Sequence, residues 1–380
     1  MSPAPVPAVL IIGGGIAGAA AGYVLAERRE VTLLEREDVP GYHSTGRSAA
    51  LFTENYGSRP IRALTRASRR FFEAPPASFG EHPLLAPRGV LMISPRGERE
   101  RFAAALAEGM LSAPGLAEIG AAAARSRVPA LDPDWLGDAM YEPEAMDIDV
   151  HALHQGFLRG LRARGGRIVT DAEARGIRRD GGAWRVATPK AEFAAPILVN
   201  AAGAWADEVA RLAGVPTIGL VPKRRTAFTI EPPAGVAIAG WPLVVDVAES
   251  FYFKPEAGRL LVSPADETPV PPCDVQPEEI DIAAAAERLE AATSIRVIRI
   301  VRKWAGLRSF VADKTPVVGF APGADGFFWL AGQGGYGIQT APAMGRLAAA
   351  LVDGEEIPAD LAGFGVEAAA LGPARLSAAP

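Results

Sequence analysis

Apolar positions along the chain follow two different rhythms. Residues 8–12, Ala-Val-Leu-Ile-Ile, form a short unbroken apolar run, the pattern of a strand buried on both faces. An Ala-rich helix to about Arg28 and a second strand, Val31–Leu34, follow. Helices are predicted over Ile61–Phe72, Glu98–Glu108 and Val150–Arg164, and strands over Arg167–Thr170 and Ile197–Asn200. Asp180-Gly181-Gly182 signals a hairpin between two short strands within residues 174–187. From 217 to 263 the rhythm changes to closely spaced β-rich runs: Thr226–Ile230, Leu243–Asp246, Phe251–Lys254 and Arg259–Ser263. Such spacing predicts a separate, mostly antiparallel sheet. Pro269-Val270-Pro271-Pro272 reads as a surface loop and Ile282–Ala292 as a helix. The α/β rhythm then returns with strand Phe327–Ala331, a glycine-rich turn and a helix to about Val352. No internal repeat or low-complexity linker is present. The interleaving predicts two domains built from discontinuous segments. Residues 1–80, 145–215 and 305–380 would form a doubly wound α/β domain, and 81–144 and 216–304 an antiparallel one, α+β overall.

Composition narrows the classes. With 380 residues and 49% apolar content the chain can bury a large core, which excludes disorder as its main state. One cysteine, Cys273, cannot close an intramolecular disulfide, and four histidines with one cysteine do not make a zinc cluster. A net charge of −5, with Lys223-Arg224-Arg225 as the one short basic run, leaves no footprint for nucleic acid. Met1 to Ala26 is uncharged, and Gly14, Gly18 and Gly22 form a small-residue ladder, so the segment can be mistaken for a signal peptide or a spanning helix. It lacks a positive n-region, and Gly13-Gly14-Gly15 breaks its apolar core. No other run approaches the roughly 20 apolar residues a span needs. The C-terminal Arg375-Leu376-Ser377-Ala378-Ala379-Pro380 is no peroxisomal address. A soluble cytoplasmic protein without an integral membrane segment is expected, at most peripheral to a membrane.

The candidate chemistry begins at Gly13-x-Gly15-x-x-Gly18, between a strand and a helix, with Glu35-Arg36 ending the next strand. In that setting the motif is a dinucleotide fingerprint. The first glycine allows a tight turn, the second lets a pyrophosphate approach the backbone, and the third lets helix and strand pack closely. Phosphates sit at a helix N-terminus, and Glu35 accepts from a ribose hydroxyl. The fingerprint does not separate NAD from FAD. Residues 332–337, Gly-Gln-Gly-Gly-Tyr-Gly, repeat its form, but too little chain follows for a second nucleotide domain. They read instead as a helix N-terminus aimed at a polarised ligand group, such as the N1 and C2-carbonyl edge of a reduced flavin. The polar stretch Gly41-Tyr42-His43-Ser44-Thr45-Gly46-Arg47-Ser48 lies where a chain passes the pyrophosphate and flavin of FAD.

On these residues the chain resembles the glycine oxidase / D-amino-acid oxidase superfamily, and within it the bacterial D-arginine dehydrogenase type. The resemblance covers essentially the whole chain. It also rests on Glu81-His82-Pro83-Leu84-Leu85, Ala201-Ala202-Gly203-Ala204-Trp205, Pro222-Lys223-Arg224-Arg225, Ser250-Phe251-Tyr252-Phe253-Lys254-Pro255, Trp304-Ala-Gly-Leu-Arg308 with Asp313, and Gly332 to Thr340. It implies a Rossmann-like, glutathione-reductase-type domain holding FAD without a covalent bond. The implied cofactor residues are Gly13, Gly15, Ile16, Ala17, Gly18, Glu35, Arg36, Ser44, Thr45, Gly46, Ser48, Ala49, Ala50, Ala174, Ala202, Gly203, Trp205, Gly334, Tyr336, Gly337, Ile338, Gln339 and Thr340.

The resemblance also implies that Arg308 and Arg225 bind a substrate carboxylate, since a planar guanidinium can do so bidentately. Arg224 would face the other way if the segment is a strand. Tyr252 and Tyr56 would face the substrate, and Gly335 would offer its carbonyl to the amine. The implied reaction is oxidative deamination of a D-amino acid by hydride transfer from Cα to flavin N5. The imino acid then hydrolyses to a 2-oxo acid and ammonia. The acceptor stays open between a quinone, another carrier and oxygen. No catalytic histidine is expected, and His82, His151 and His154 read as structural or surface residues. Val90 and Leu51 stand where the relative has an acid and a histidine, which favours apolar or neutral substrate side chains. A glycine/sarcosine-type oxidase, an L-2-hydroxy-acid dehydrogenase and a non-catalytic flavin-binding protein remain alternatives. No metal is expected.

Overall fold

The parallel layer forms where the unbroken apolar runs predicted it. The computed structural model describes residues 8–113 and 115–378; residues 1–7, at the start of the uncharged segment, and 379–380, at the end of the C-terminal tail, lie outside them. Six strands align in the order Val317–Phe320, Phe327–Ala331, Ile197–Asn200, Val9–Ile12, Val31–Leu34, Arg167–Val169, all parallel except the first pair. Alternation along Val9–Ile12 explains why both faces are apolar. Val9 and Ile11 pack towards helices Ile16–Leu25 and Gly337–Asp353, whereas Leu10 and Ile12 pack with Trp184 and Val186. Those two belong to an antiparallel meander, Gly176–Asp180, Ala183–Ala187 and Glu192–Ala195, whose first turn is the expected Gly181-Gly182. Helices Arg59–Glu73 and Val150–Ala163 complete the helical layer.

The second sheet has nine strands. Its path runs Thr268–Pro269, Val221–Ile230, Arg259–Ser263, Tyr252–Glu256, Leu243–Asp246, Val90–Pro95, Leu136–Glu142, Ala117–Ile119, with Ile300–Phe310 also paired to Val221–Ile230. All its pairs are antiparallel except Leu243–Asp246 with Val90–Pro95. One face packs on helix Glu279–Ala292 through Leu91, Ile93, Phe228, Val244 and Phe253.

Two expectations change here. Ile300–Phe310 was not foreseen as a strand, because Arg302, Lys303 and Gly306 interrupt its apolar pattern. It crosses the expected boundary at 304/305 and pairs with the second sheet to its end, so Arg308 belongs to that sheet. Strand Val221–Ile230 starts before Thr226 and takes in the basic triplet. Arg224 there turns away to ion pairs with Asp281 and Glu278, as a face opposite to Arg225 requires. Four strands between residues 85 and 142 went unpredicted as well. No helix among the described residues is long and apolar enough to cross a membrane.

Candidate functional site

The fingerprint loop follows strand Val9–Ile12 directly. A Cβ on Gly18 would come within 2.0 Å of the Gly13 carbonyl oxygen, so helix and turn meet only without a side chain there. Glu35 holds the loop: Gly14 N–H donates to its Oε2 at 2.9 Å and Glu37 N–H to its Oε1 at 3.0 Å. Burial raises the Glu35 pKa, opposed by these backbone donors. Thr45 Oγ1 accepts from Ile16 N–H at 3.0 Å, placing the 41–48 stretch over the helix start. His154, buried beneath the loop, bonds the Gly14 carbonyl through Nε2 at 2.8 Å. Its burial lowers the imidazole pKa, which keeps the ring neutral.

An elongated cleft runs from Glu35, Arg36, Ala174 and Trp205 past Gly15, Ala17 and Thr45 to Gln333 and Gly334. At its outer end the Arg36 guanidinium lies 4.9 Å from the Trp205 ring, and His43 packs 4.6 Å from the same indole. At its inner end the Gln333 Nε2 is buried with no hydrogen-bond partner among the described residues. Buried polar groups are ordinarily satisfied, so an orphaned amide at this cleft fits a ligand acceptor. An acid for a ribose, a helix start for a pyrophosphate and a free amide deeper in fit FAD in that order.

The 41–48 stretch is also tied to the other sheet. Ser44 Oγ donates to Leu307 O at 2.7 Å, and Trp304 Nε1–H donates to Arg47 O at 3.1 Å. Arg47 reaches Ala305 O at 3.1 Å and pairs with Asp274.

Beyond this bridge lies a cavity of about 790 Å³. It gathers Arg225, Arg308, Tyr56, Tyr252, Gly335, Leu51 and Val90 with the expected flavin neighbours Ser48, Ala49, Ala50, Tyr336, Ile338 and Gln339. Arg225 stands opposite Gly306 in the strand pairing, which leaves room beside it for Arg308 on the same face. Arg308 Nη1 donates to Tyr56 Oη at 3.1 Å, and no carboxylate among the described residues pairs with it. A Cβ on Gly335 would lie 2.8 Å from that Nη1, so glycine lets the guanidinium rest on the backbone. Arg225 donates through Nε to the Asp266 carbonyl at 2.8 Å, and its Glu267 contact is 3.5 Å. Glu267 is itself held down to about 2 by Lys223 and Lys314, although burial opposes them. Burial first, then the Arg308 charge, push Arg225 below its ordinary pKa. Burial also works against the Arg308 charge, but the Tyr56 and Tyr252 oxygens outweigh it, and its pKa stands above the ordinary value. Arg308 without a carboxylate partner among the described residues, beside Arg225 with only the 3.5 Å contact to Glu267, leaves guanidinium donors available to a ligand carboxylate.

Of the remaining expected residues, Ile16, Ser44, Ala202 and Gly203 line the cleft. Gly18, Gly46, Gly337 and Thr340 lie off both spaces. Gly46 N–H donates to Gly41 O at 2.8 Å, and Thr340 Oγ1 to Tyr336 O at 2.9 Å, so these shape the backbone. His43 sits 2.9 Å from Glu37 on the outer cleft. The described residues hold no group of three His, Cys, Asp or Glu placed for a metal.

Sequence reasoning missed Glu142. It lines the cavity directly across the pairing from Val90 and is only 3% exposed, so the far wall is not wholly apolar as Val90 and Leu51 had suggested. Nothing in Met140-Tyr141-Glu142-Pro143 marks it; only strand register brings it there.

A family model described as "FAD dependent oxidoreductase" (DAO) matches residues 8–351. Glycine oxidase of Geobacillus kaustophilus is 25% identical over 371 residues, covering 94% of this chain and 95% of that protein. Its crystal structure superposes with a TM-score of 0.80 at 24% identity, over 95% of this chain and 98% of that one. Mitochondrial dimethylglycine dehydrogenase of Rattus norvegicus is 26% identical over 378 residues, covering 93% of this chain and 43% of that protein, so this chain spans less than half the dehydrogenase. With the nucleotide cleft, the orphaned Gln333 amide and a family match over most of its length, the chain belongs to the DAO family of FAD-dependent oxidoreductases.

Proposed function

We propose that this chain oxidises the carbon–nitrogen bond of a D-amino acid. The observation that carries the reading is the pair of buried Arg225 and half-buried Arg308, short of anionic partners at a cavity beside the cofactor cleft. A substrate carboxylate bonded by Arg308 and Arg225 would supply the missing charge, with Tyr56 and Tyr252 flanking it. The Gly335 carbonyl accepts from the amine, which holds Cα in a fixed pose. FAD, held along the cleft from Glu35 to Gln333, would supply the hydride acceptor. No side-chain base is required once the amine is neutral, so the protein acts by positioning and charge. The imino product then takes up water and loses ammonia. Val90, Leu51 and Leu243 offer an apolar wall to the stem of the side chain. The electron acceptor is a quinone, another carrier or oxygen. The cytoplasm is the proposed location.

Anaerobic bleaching of the flavin tests the reading, with D-amino acids set against their L- and N-methyl counterparts and then repeated in air. Bleaching by D-amino acids alone supports it. Bleaching by glycine or sarcosine alone supports a second reading, favoured by the match to glycine oxidase across nearly the whole chain. A flavin that no amine reduces refutes both.

A further inference from the structure

We propose that Glu142 selects the far end of the substrate, accepting a hydrogen bond from an N–H donor at the tip of a long amino-acid side chain. The inference rests on the amino-acid reading above and names the substrate class within it. The cavity floor is one face of the nine-stranded sheet. In Val90–Pro95, Val90 and Met92 turn to the cavity while Leu91 and Ile93 enter the core. Glu142 pairs directly with Val90, and paired residues of antiparallel strands share a face. Four strands separate Glu142 from the strand carrying Arg225. Glu142 lines the same cavity as the arginines but from the far side of this face, so an amino acid held by its carboxylate turns a long side chain, and not its reacting amine, towards it. Between them the face is lined by Leu243, Val245, Met92 and Val90, a surface for an aliphatic stem.

Glu142 differs from the other cavity acids. Glu108 pairs with Arg62, Glu267 with Lys223 and Lys314, and Asp313 with Arg375. Glu249 is exposed on its turn. Glu142 is buried, and no cation among the described residues pairs with it. Thr53 Oγ1–H donates at 2.9 Å to Oε2 and Glu54 N–H at 3.2 Å to Oε1. A carboxylate has about four acceptor positions, so these two donors leave room for a third on the cavity side. Burial pushes this carboxyl up to about 7, a group short of partners in the ligand-free protein.

The test uses the FAD-loaded enzyme and compares wild type, Glu142→Gln and Glu142→Leu. The rates are kcat/KM for D-arginine and D-leucine. Binding of 5-guanidinopentanoate and 4-methylpentanoate, which lack the amine, is followed by the flavin spectrum. Glu142→Gln should lower the D-arginine/D-leucine ratio about 10- to 100-fold, the loss of one charge-assisted bond, and leave D-leucine within about threefold. Glu142→Leu should lower it at least as far. The affinity ratio of the two acids should fall in parallel. If both substrates lose rate together, Glu142 merely orders the Thr53–Glu54 backbone and the inference is overturned; an unmoved ratio overturns it too. Should no amino acid bleach the wild-type flavin while the affinity ratio still shifts, the amino-acid reading fails and the Glu142 contact stands.

Discussion

Arg308→Met separates what this site does for the ligand from what it does for the fold. Arg308 spends one hydrogen bond on Tyr56 and has no carboxylate partner among the described residues, so most of its donors are free for a ligand. Arg225 has its Nε committed to the Asp266 carbonyl. Loss of Arg308 would leave the substrate carboxylate with Arg225 alone. A charge-assisted bond contributes about 1.5–3 kcal/mol, and a two-pronged contact on the order of 3–5 kcal/mol. At about 1.4 kcal/mol per decade, kcat/KM should fall by roughly 10²-fold to a few thousand-fold. Stability should move the other way or not at all. Arg308 is one cause of the low Arg225 pKa, so removing it relieves a like-charge contact in the ligand-free protein. Arg308→Lys should stay poor, because a point charge cannot reproduce a planar fork. The assay is anaerobic flavin reduction across substrate concentration, with thermal melts of the same FAD-loaded samples. Near-normal kcat/KM would refute the clamp. A fall in Tm large enough to explain the lost rate would refute the idea that the two arginines repel.

Further outcomes follow from other contacts. Glu35→Ala should weaken FAD retention by about 1–3 kcal/mol, read as cofactor lost on dilution, because both the ribose acceptor and the Gly14 bond disappear. Acid precipitation should release the flavin to the supernatant; flavin remaining in the pellet would show a covalent link. Gly18→Val should abolish FAD loading, since even a Cβ falls 2.0 Å from Gly13 O; a yellow, fully loaded variant would show that the turn can open. Glu142 is raised from 4.5 to about 7, so its share of stability is fully present below pH 4.5 and lost as pH rises through 7. Glu142→Gln should therefore flatten the decline in unfolding free energy between pH 4.5 and 8; an unchanged slope would assign the decline to other groups.

The parallel layer was legible because apolar runs bounded by Gly and polar residues have one plausible use. Val31–Leu34, Ile197–Asn200 and Phe327–Ala331 stand at the expected limits. Ile300–Phe310 was hidden, since Arg302 and Lys303 face solvent on a strand whose other residues vary in burial. Local pattern cannot see that its partner, Val221–Ile230, runs alongside it. The site divides the same way. The fingerprint and Glu35 could be placed from spacing, and Arg225 and Arg308 entered through resemblance alone. Glu142 and His154 needed tertiary information: one is brought in by register with Val90, the other by a helix passing beneath Gly14.

The stretch spanning Ser44 and Arg47 ties the two halves of the chain together. It sits over the helix start that receives the cofactor, yet its bonds run to Ala305 and Leu307, on the strand that carries Arg308. A change at Ser44 or Arg47 would therefore be felt on both sides of the bridge, at the cofactor cleft and on the strand that carries Arg308.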